Sequence, residues 1–257
     1  MSVRLKWQRG FTLIEMITVV VVLGIVSVIG AGFIVNATIS YQQTQSRALL
    51  VNTSRQALER MTRQLRGALP YSVRVTNGGN CVQFMPIAAA GFYREPVPDS
   101  ANQAPPHTRI DTTPHAIDFG DAVYLSIGAM DSSELYGGSA LSRASIESRS
   151  DTQVAFASRT WERNSLSQRF YLLDQPQAFC LLGDQLRFYS DQDVTASTVN
   201  TTGDFDLLAR NAQAAGNPFV LSSASENRNV ILAMNIGFSE GGERIRFDQE
   251  VLIRNVP

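Results

Sequence analysis

Between Phe11 and Ser46 the sequence carries a single charged side chain, Glu15, and from Phe11 to about Val35 nearly everything around that acid is apolar. Wound as a helix, this run is about 37 Å long, enough to cross the hydrocarbon core of a bilayer. A membrane segment with one acid near its start is the first constraint on the fold. An ionisable group in such a helix costs on the order of 2–3 kcal/mol and calls for a partner. The basic groups ahead of it are Arg4, Lys6 and Arg9, and they stop at Gly10. A cut between Gly10 and Phe11 would place a new α-amino group one helical turn from Glu15, or beside the Glu15 of an adjacent copy. The cut would create the missing cation.

An ordinary signal anchor gives no reason for a glycine before Phe11 and leaves Glu15 alone. A secretory signal peptide has a shorter apolar region that ends in small residues. The stretch Gly10-Phe11-Thr12-Leu13-Ile14-Glu15, after its short basic leader, resembles the class III signal of type IV pilins and of type II secretion pseudopilins. That resemblance implies a prepilin peptidase that cleaves between Gly10 and Phe11 and N-methylates Phe11, with Glu15 acting in assembly.

The formal charge of −1 hides an asymmetry, because the leader holds three of the 22 basic residues and none of the 23 acids. Without it, 19 basic and 23 acidic side chains remain, a net of −4 that gives no electrostatic reason to hold nucleic acid. Positive charge ahead of the apolar run keeps the leader cytoplasmic and sends the rest across the inner membrane. Cys81 and Cys180 then meet an oxidising compartment, where a disulfide is expected and two separate buried thiols are the alternative. It would close a loop of about 100 residues, worth on the order of 4 kcal/mol by chain entropy. Lys6 is the only lysine. A chain cut after Gly10 would therefore lack both Schiff-base and lysine isopeptide chemistry, so its assembly would be non-covalent.

The helix is expected to continue beyond the membrane. Asn36 to Gly67 contains no proline, and Val51, Leu58, Met61 and Leu65 share one stripe that a globular domain can cover. Arg60, Arg63 and Arg66 suit the helix C-terminus, Glu59 has the spacing to pair with Arg63, and Gly67 with Pro70 supplies the stop. Read as a patch, the same arginines would hold phosphate or anionic lipid. Gly24, Gly30 and Gly32 each weaken the apolar half by roughly 1 kcal/mol relative to alanine, permitting either close helix packing or local melting.

After Pro70 the pattern changes to short half-apolar runs. Ser72–Thr76 and Cys81–Met85 flank Asn77-Gly78-Gly79-Asn80, a strong hairpin signal, and further strands are expected over 122–127, 153–158, 169–173, 178–182 and 185–189. Their close spacing makes the sheet mainly antiparallel. Six of the ten prolines lie from Pro86 to Pro114 with His107 and His115 nearby, so residues 86–116 are expected to be one irregular surface loop. The two histidines lack partners at ligand spacing and read as solvated, and Asp191–Asp193 and Asp204–Asp206 do not form a complete calcium loop. No metal or other cofactor is implied. At the C-terminus a hairpin turns over Glu240-Gly241-Gly242-Glu243, and its last strand, Arg244–Val256, alternates buried and wet residues apart from Gln249 and Leu252.

These readings give an α+β chain: a leader over 1–10, a transmembrane and filament-core helix over 11–35, an amphipathic continuation over 36–67, and a periplasmic β-rich domain over 68–257. The stretches Arg63–Arg74 and Glu250–Pro257 resemble the MshO-type minor pilins of mannose-sensitive haemagglutinin (MSHA) pili. Size and layout resemble, more distantly, the J-type pseudopilins. The resemblance implies a minor pilin that meets the prepilin peptidase, other minor pilins, the major pilin, the inner-membrane assembly platform and membrane lipid, and that primes a type IV pilus or sits in its tip complex. It implies a single-pass inner-membrane protein that moves to the pilus on assembly. The alternatives are a secretion pseudopilin and a tip subunit that captures a surface or DNA. Gly-x-Ser-x-Gly, His-Glu-x-x-His and a phosphate-cradling glycine loop are all missing, which argues against an enzyme.

Overall fold

A computed structural model of the chain describes residues 11–114, 122–222 and 230–253. Gly10 with the rest of the leader, His115 and residues 254–257 lie outside them. Helix α1 spans Leu13–Arg66, and the chain divides within it into two compact units, one ending at Leu49 and one beginning at Leu50.

From Leu13 to Val35 the helix is apolar on every side apart from the acid at Glu15, and its side chains are exposed. The span is long and apolar enough to cross a membrane. Valine and isoleucine crowd this run, yet in lipid the backbone would have only its own carbonyls as partners, which favours the helix. Ser27 follows the same rule, its hydroxyl donating to the Leu23 carbonyl four residues back at 2.7 Å.

The second unit begins with helix residues whose buried face is Leu50, Ser54, Ala57, Leu58, Met61, Thr62 and Leu65. The expected stripe is corrected by one position at its start: Leu50 is buried and Val51 only half-buried. Ser54 enters the core by donating to the Leu50 carbonyl at 2.6 Å, and Thr62 by accepting from Gln249 at 3.1 Å. Arg60 pairs with Asp206 at 2.8 Å and lies over Phe188, whereas the expected Glu59–Arg63 pair is not among the ion pairs of the described residues. The helix ends where expected, with the Gly67 N–H donating to Gln64 in a tightened last turn.

Among the described residues the strands are β1 (Arg74–Thr76), β2 (Cys81–Phe84), β3 (Ile87–Phe92), β4 (His107–Asp111), β5 (Tyr124–Ile127), β6 (Arg143–Arg149), β7 (Gln153–Arg159) and β8 (Arg169–Leu173). They continue with β9 (Gln177–Leu182), β10 (Gln185–Tyr189), β11 (Asp206–Ala209), β12 (Ala212–Gln213), β13 (Phe219–Ser222), β14 (Val230–Glu240) and β15 (Glu243–Ile253). One antiparallel sheet runs β1-β2-β9-β10-β11, and a second has β14 between β15 on one edge and β12 and β13 on the other. Residues Leu58, Met61 and Leu65 of α1 pack in one core with Phe84, Phe179 and Leu186 of the first sheet and Leu232, Ile236 and Val251 of the second. Each large apolar side chain so buried contributes about 1.5–3 kcal/mol.

The C-terminal hairpin forms as expected. Glu240 opposes Glu243 across Gly241 and Gly242, both at positive φ as this two-residue turn requires. The alternation also explains the two exceptions, since Gln249 points inward to Thr62 and Leu252 points outward.

The larger correction concerns residues 86–116. They are not one irregular loop, because they contain β3 and β4, the two ends of a six-stranded sheet ordered β3-β8-β5-β6-β7-β4. That sheet closes on itself. Tyr93 opposes Thr112, the Arg94 N–H donates to the Asp111 carbonyl at 2.9 Å and the Thr113 N–H to the Phe92 carbonyl at 2.9 Å. The resulting small barrel is filled by Leu125, Ile127, Val154, Phe156, Trp161, Phe170 and Leu172. A smaller cluster of Leu69, Met85, Tyr124, Leu135, Tyr136, Leu173 and Val194 joins it to the first sheet, where the Tyr136 hydroxyl donates to the Ser72 carbonyl at 2.9 Å. Complete burial pushes that phenol far above its ordinary range and keeps it a donor.

Gly91 in β3 lets the buried Phe170 ring approach, since a Cβ there would stand 2.7 Å from its Cζ. Gly91→Ala is expected to lower stability by about 1–3 kcal/mol through overpacking of the barrel. A urea titration reads this as a lower midpoint, and an unchanged midpoint would show that the ring moves aside freely.

Candidate processing and assembly site

The N-terminal segment builds its site from a four-residue pattern. Thr12 precedes the first helical residue, and the Met16 N–H donates to its carbonyl at 3.3 Å, opening the helix ladder. The Glu15 carboxylate accepts from the Thr12 N–H at 3.1 Å and from the Thr12 hydroxyl at 3.0 Å, while the Glu15 N–H reaches the Thr12 hydroxyl oxygen at 3.4 Å. This is a capping box, in which the first turn satisfies its own orphan donors. Glu15 therefore has a neutral partner within a single chain, where charge alone predicts none. The Thr-x-x-Glu spacing of Thr12 and Glu15 was the signal for it. Because a carboxylate has acceptor capacity beyond these two bonds, the box leaves room for a cation. Phe11 stands immediately before the box and is exposed.

Cys81 and Cys180 are joined as a disulfide. They face each other directly in the β2–β9 ladder. The Leu181 N–H donates to the Asn80 carbonyl, which marks the cysteines as a non-hydrogen-bonded pair, the position where opposed residues come closest. Their Cα atoms are 4.1 Å apart, and both side chains are fully buried.

The remaining sequence candidates fall elsewhere. His107 lies at the start of β4, exposed on the barrel surface. Asp193 turns on its own loop: its carboxylate accepts from the N–H and the hydroxyl of Thr195, both at 2.8 Å. Those donors hold it below the ordinary carboxylate range. Asp206 is taken by Arg60.

A family model, the prokaryotic N-terminal methylation motif, matches residues 8–31. Comparison with curated proteins and with solved structures returns no match. The matched stretch contains Gly10, Phe11, Thr12 and Glu15 together with most of the apolar run, and the motif implies processing by a prepilin peptidase. Combined with a long N-terminal helix packed on antiparallel sheets, this makes the chain a type IV pilin-like or pseudopilin-like protein with an N-terminal methylation motif.

Proposed function

We infer that the chain is a minor pilin of an MSHA-like type IV pilus, which primes filament growth or forms part of the tip complex. Hydrolysis of the Gly10–Phe11 peptide bond frees an α-amine at Phe11, the amine is then methylated, and the chain stays anchored in the inner membrane by its apolar helix. The observation that carries the reading is Glu15, the one acid in the apolar span of that helix, inside the methylation motif. On leaving lipid for the filament core, the Glu15 carboxylate pairs with the Phe11 amine of a neighbouring copy or sister pilin. In dry surroundings a charge-assisted bond of that kind both aligns subunits and removes an unpaired acid from an apolar environment. The barrel between β2 and β9 is an addition beyond what the helix and the other two sheets need to share a core. It supports a specialised role within the filament.

Processing is the test. Gly10→Val is expected to leave more than nine-tenths of the protein as uncleaved precursor in the membrane fraction, read by mass spectrometry of the N-terminus. A mature chain beginning at Phe11 in that variant would remove the reading.

A further inference from the structure

The barrel closes through very few bonds, and the reason lies in the chain that follows β3. After Arg94, Pro96 and Pro98 have no N–H to offer β4. The Val97 N–H donates to Asn164 at 2.8 Å, and its carbonyl accepts from Asn102 and Asn164, both at 2.8 Å. Asp99 fixes the same turn through Asn164 at 2.6 Å. Residues 95–98 are thus held away from β4, and a groove of about 410 Å³ opens between Glu95-Pro96-Val97 and residues 106–111.

The ladder on the other side of β4 shows what faces that groove. The Thr112 N–H donates to the Thr152 carbonyl, and Asp111 opposes Gln153, Ile110 opposes Val154 and Arg109 opposes Ala155. Bonding alternates along an antiparallel pair, so Asp111 and Arg109 turn their peptide groups away from β7. Asp111 uses its carbonyl to bind the Arg94 N–H. Arg109, two residues back, turns its N–H and carbonyl into the groove, and its exposed guanidinium makes no ion pair or hydrogen bond among the described residues.

We propose that the open edge of β4 at Arg109 takes an extended peptide segment as an added strand, with an acidic side chain opposite Arg109. The guest continues the ladder that Arg94 begins, supplies the carbonyl and N–H that Pro96 and the tied-back Val97 do not, and sets its carboxylate beside the unused guanidinium. Of the two acids that line the groove with Arg109, Asp111 accepts from Gln153 at 2.8 Å, and neither it nor Glu95 forms an ion pair with the guanidinium among the described residues. The site does not depend on the filament role of the N-terminus.

The test uses the full chain in detergent micelles and two synthetic peptides, TVTEVTV and TVTKVTV, with hydrogen–deuterium exchange read at the Arg109 amide. In the free protein this amide is expected to exchange fast. The glutamate peptide is expected to slow it at least tenfold while the lysine peptide at equal concentration does not, and Arg109→Glu, which keeps the backbone, is expected to reverse that preference. An Arg109 amide already protected without peptide, no protection by either peptide, or equal protection by both would each overturn the proposal.

Discussion

Serine at both Cys81 and Cys180 is expected to lower the unfolding free energy by about 4 kcal/mol, within a range of roughly 2–5 kcal/mol for the loss of a native disulfide. The bond spans 99 positions of sequence and encloses the whole barrel, so its removal releases a long loop in the unfolded chain. Its setting adds to the effect. β2 and β9 are interior strands of the first sheet, and both thiol positions are inaccessible to water, so each serine also buries a hydroxyl. For a domain of this size the expected drop in Tm is about 8–16 °C. The double alanine variant separates the two contributions, since it deletes the cross-link without burying a hydroxyl. A midpoint in urea that moves by less than the equivalent of about 1 kcal/mol in both variants would show that the pairing of β2 with β9 holds without the bond.

Glu15→Ala is expected to leave processing intact and to reduce incorporation into filaments at least tenfold, measured as the ratio of sheared filament protein to membrane protein. The capping box makes the control informative. Glu15→Gln keeps an acceptor for the Thr12 N–H and removes the charge, whereas Thr12→Ala removes the cap and keeps the charge. Charge pairing with a neighbour's Phe11 amine predicts that the glutamine variant fails to incorporate and the Thr12 variant succeeds. Loss of the cap alone costs about 1 kcal/mol of helix stability. Should the glutamine variant assemble normally, the acid would be a helix starter and nothing more.

Much of the second unit was legible where one physical signal dominated. Asn77-Gly78-Gly79-Asn80 joins β1 to β2 with positive φ at its first three positions, and the Gly241–Gly242 turn sets the register of the longest hairpin. Three of the barrel's strands, β5, β7 and β8, were legible as half-apolar runs, but β3, β4, β6 and the closure were not. β3 reads Ile-Ala-Ala-Ala-Gly-Phe and β6 reads Arg-Ala-Ser-Ile-Glu-Ser-Arg, compositions with little strand preference of their own. What makes them strands is a neighbour on each side, and adjacency between β3 and β8 or between β3 and β4 is long-range information. Proline density pointed to one loop over 86–116, which holds for residues 93–106 but not for the six residues of β3 or the five of β4. The capping box is a different case. Thr12 and Glu15 carry its spacing in the sequence, but a neutral donor three residues away satisfies hydrogen bonds without answering a charge.

The barrel leaves β2 at Phe84 and returns to β9 at Gln177, residues that face each other as ladder partners. A module whose two ends lie one strand spacing apart, about 4.8 Å, can be exchanged there without stretching either strand. The junction therefore has the form of a cassette socket with its own covalent latch at Cys81 and Cys180. A compact fold with adjacent termini meets the same spacing, which makes this position a mounting point for a foreign domain.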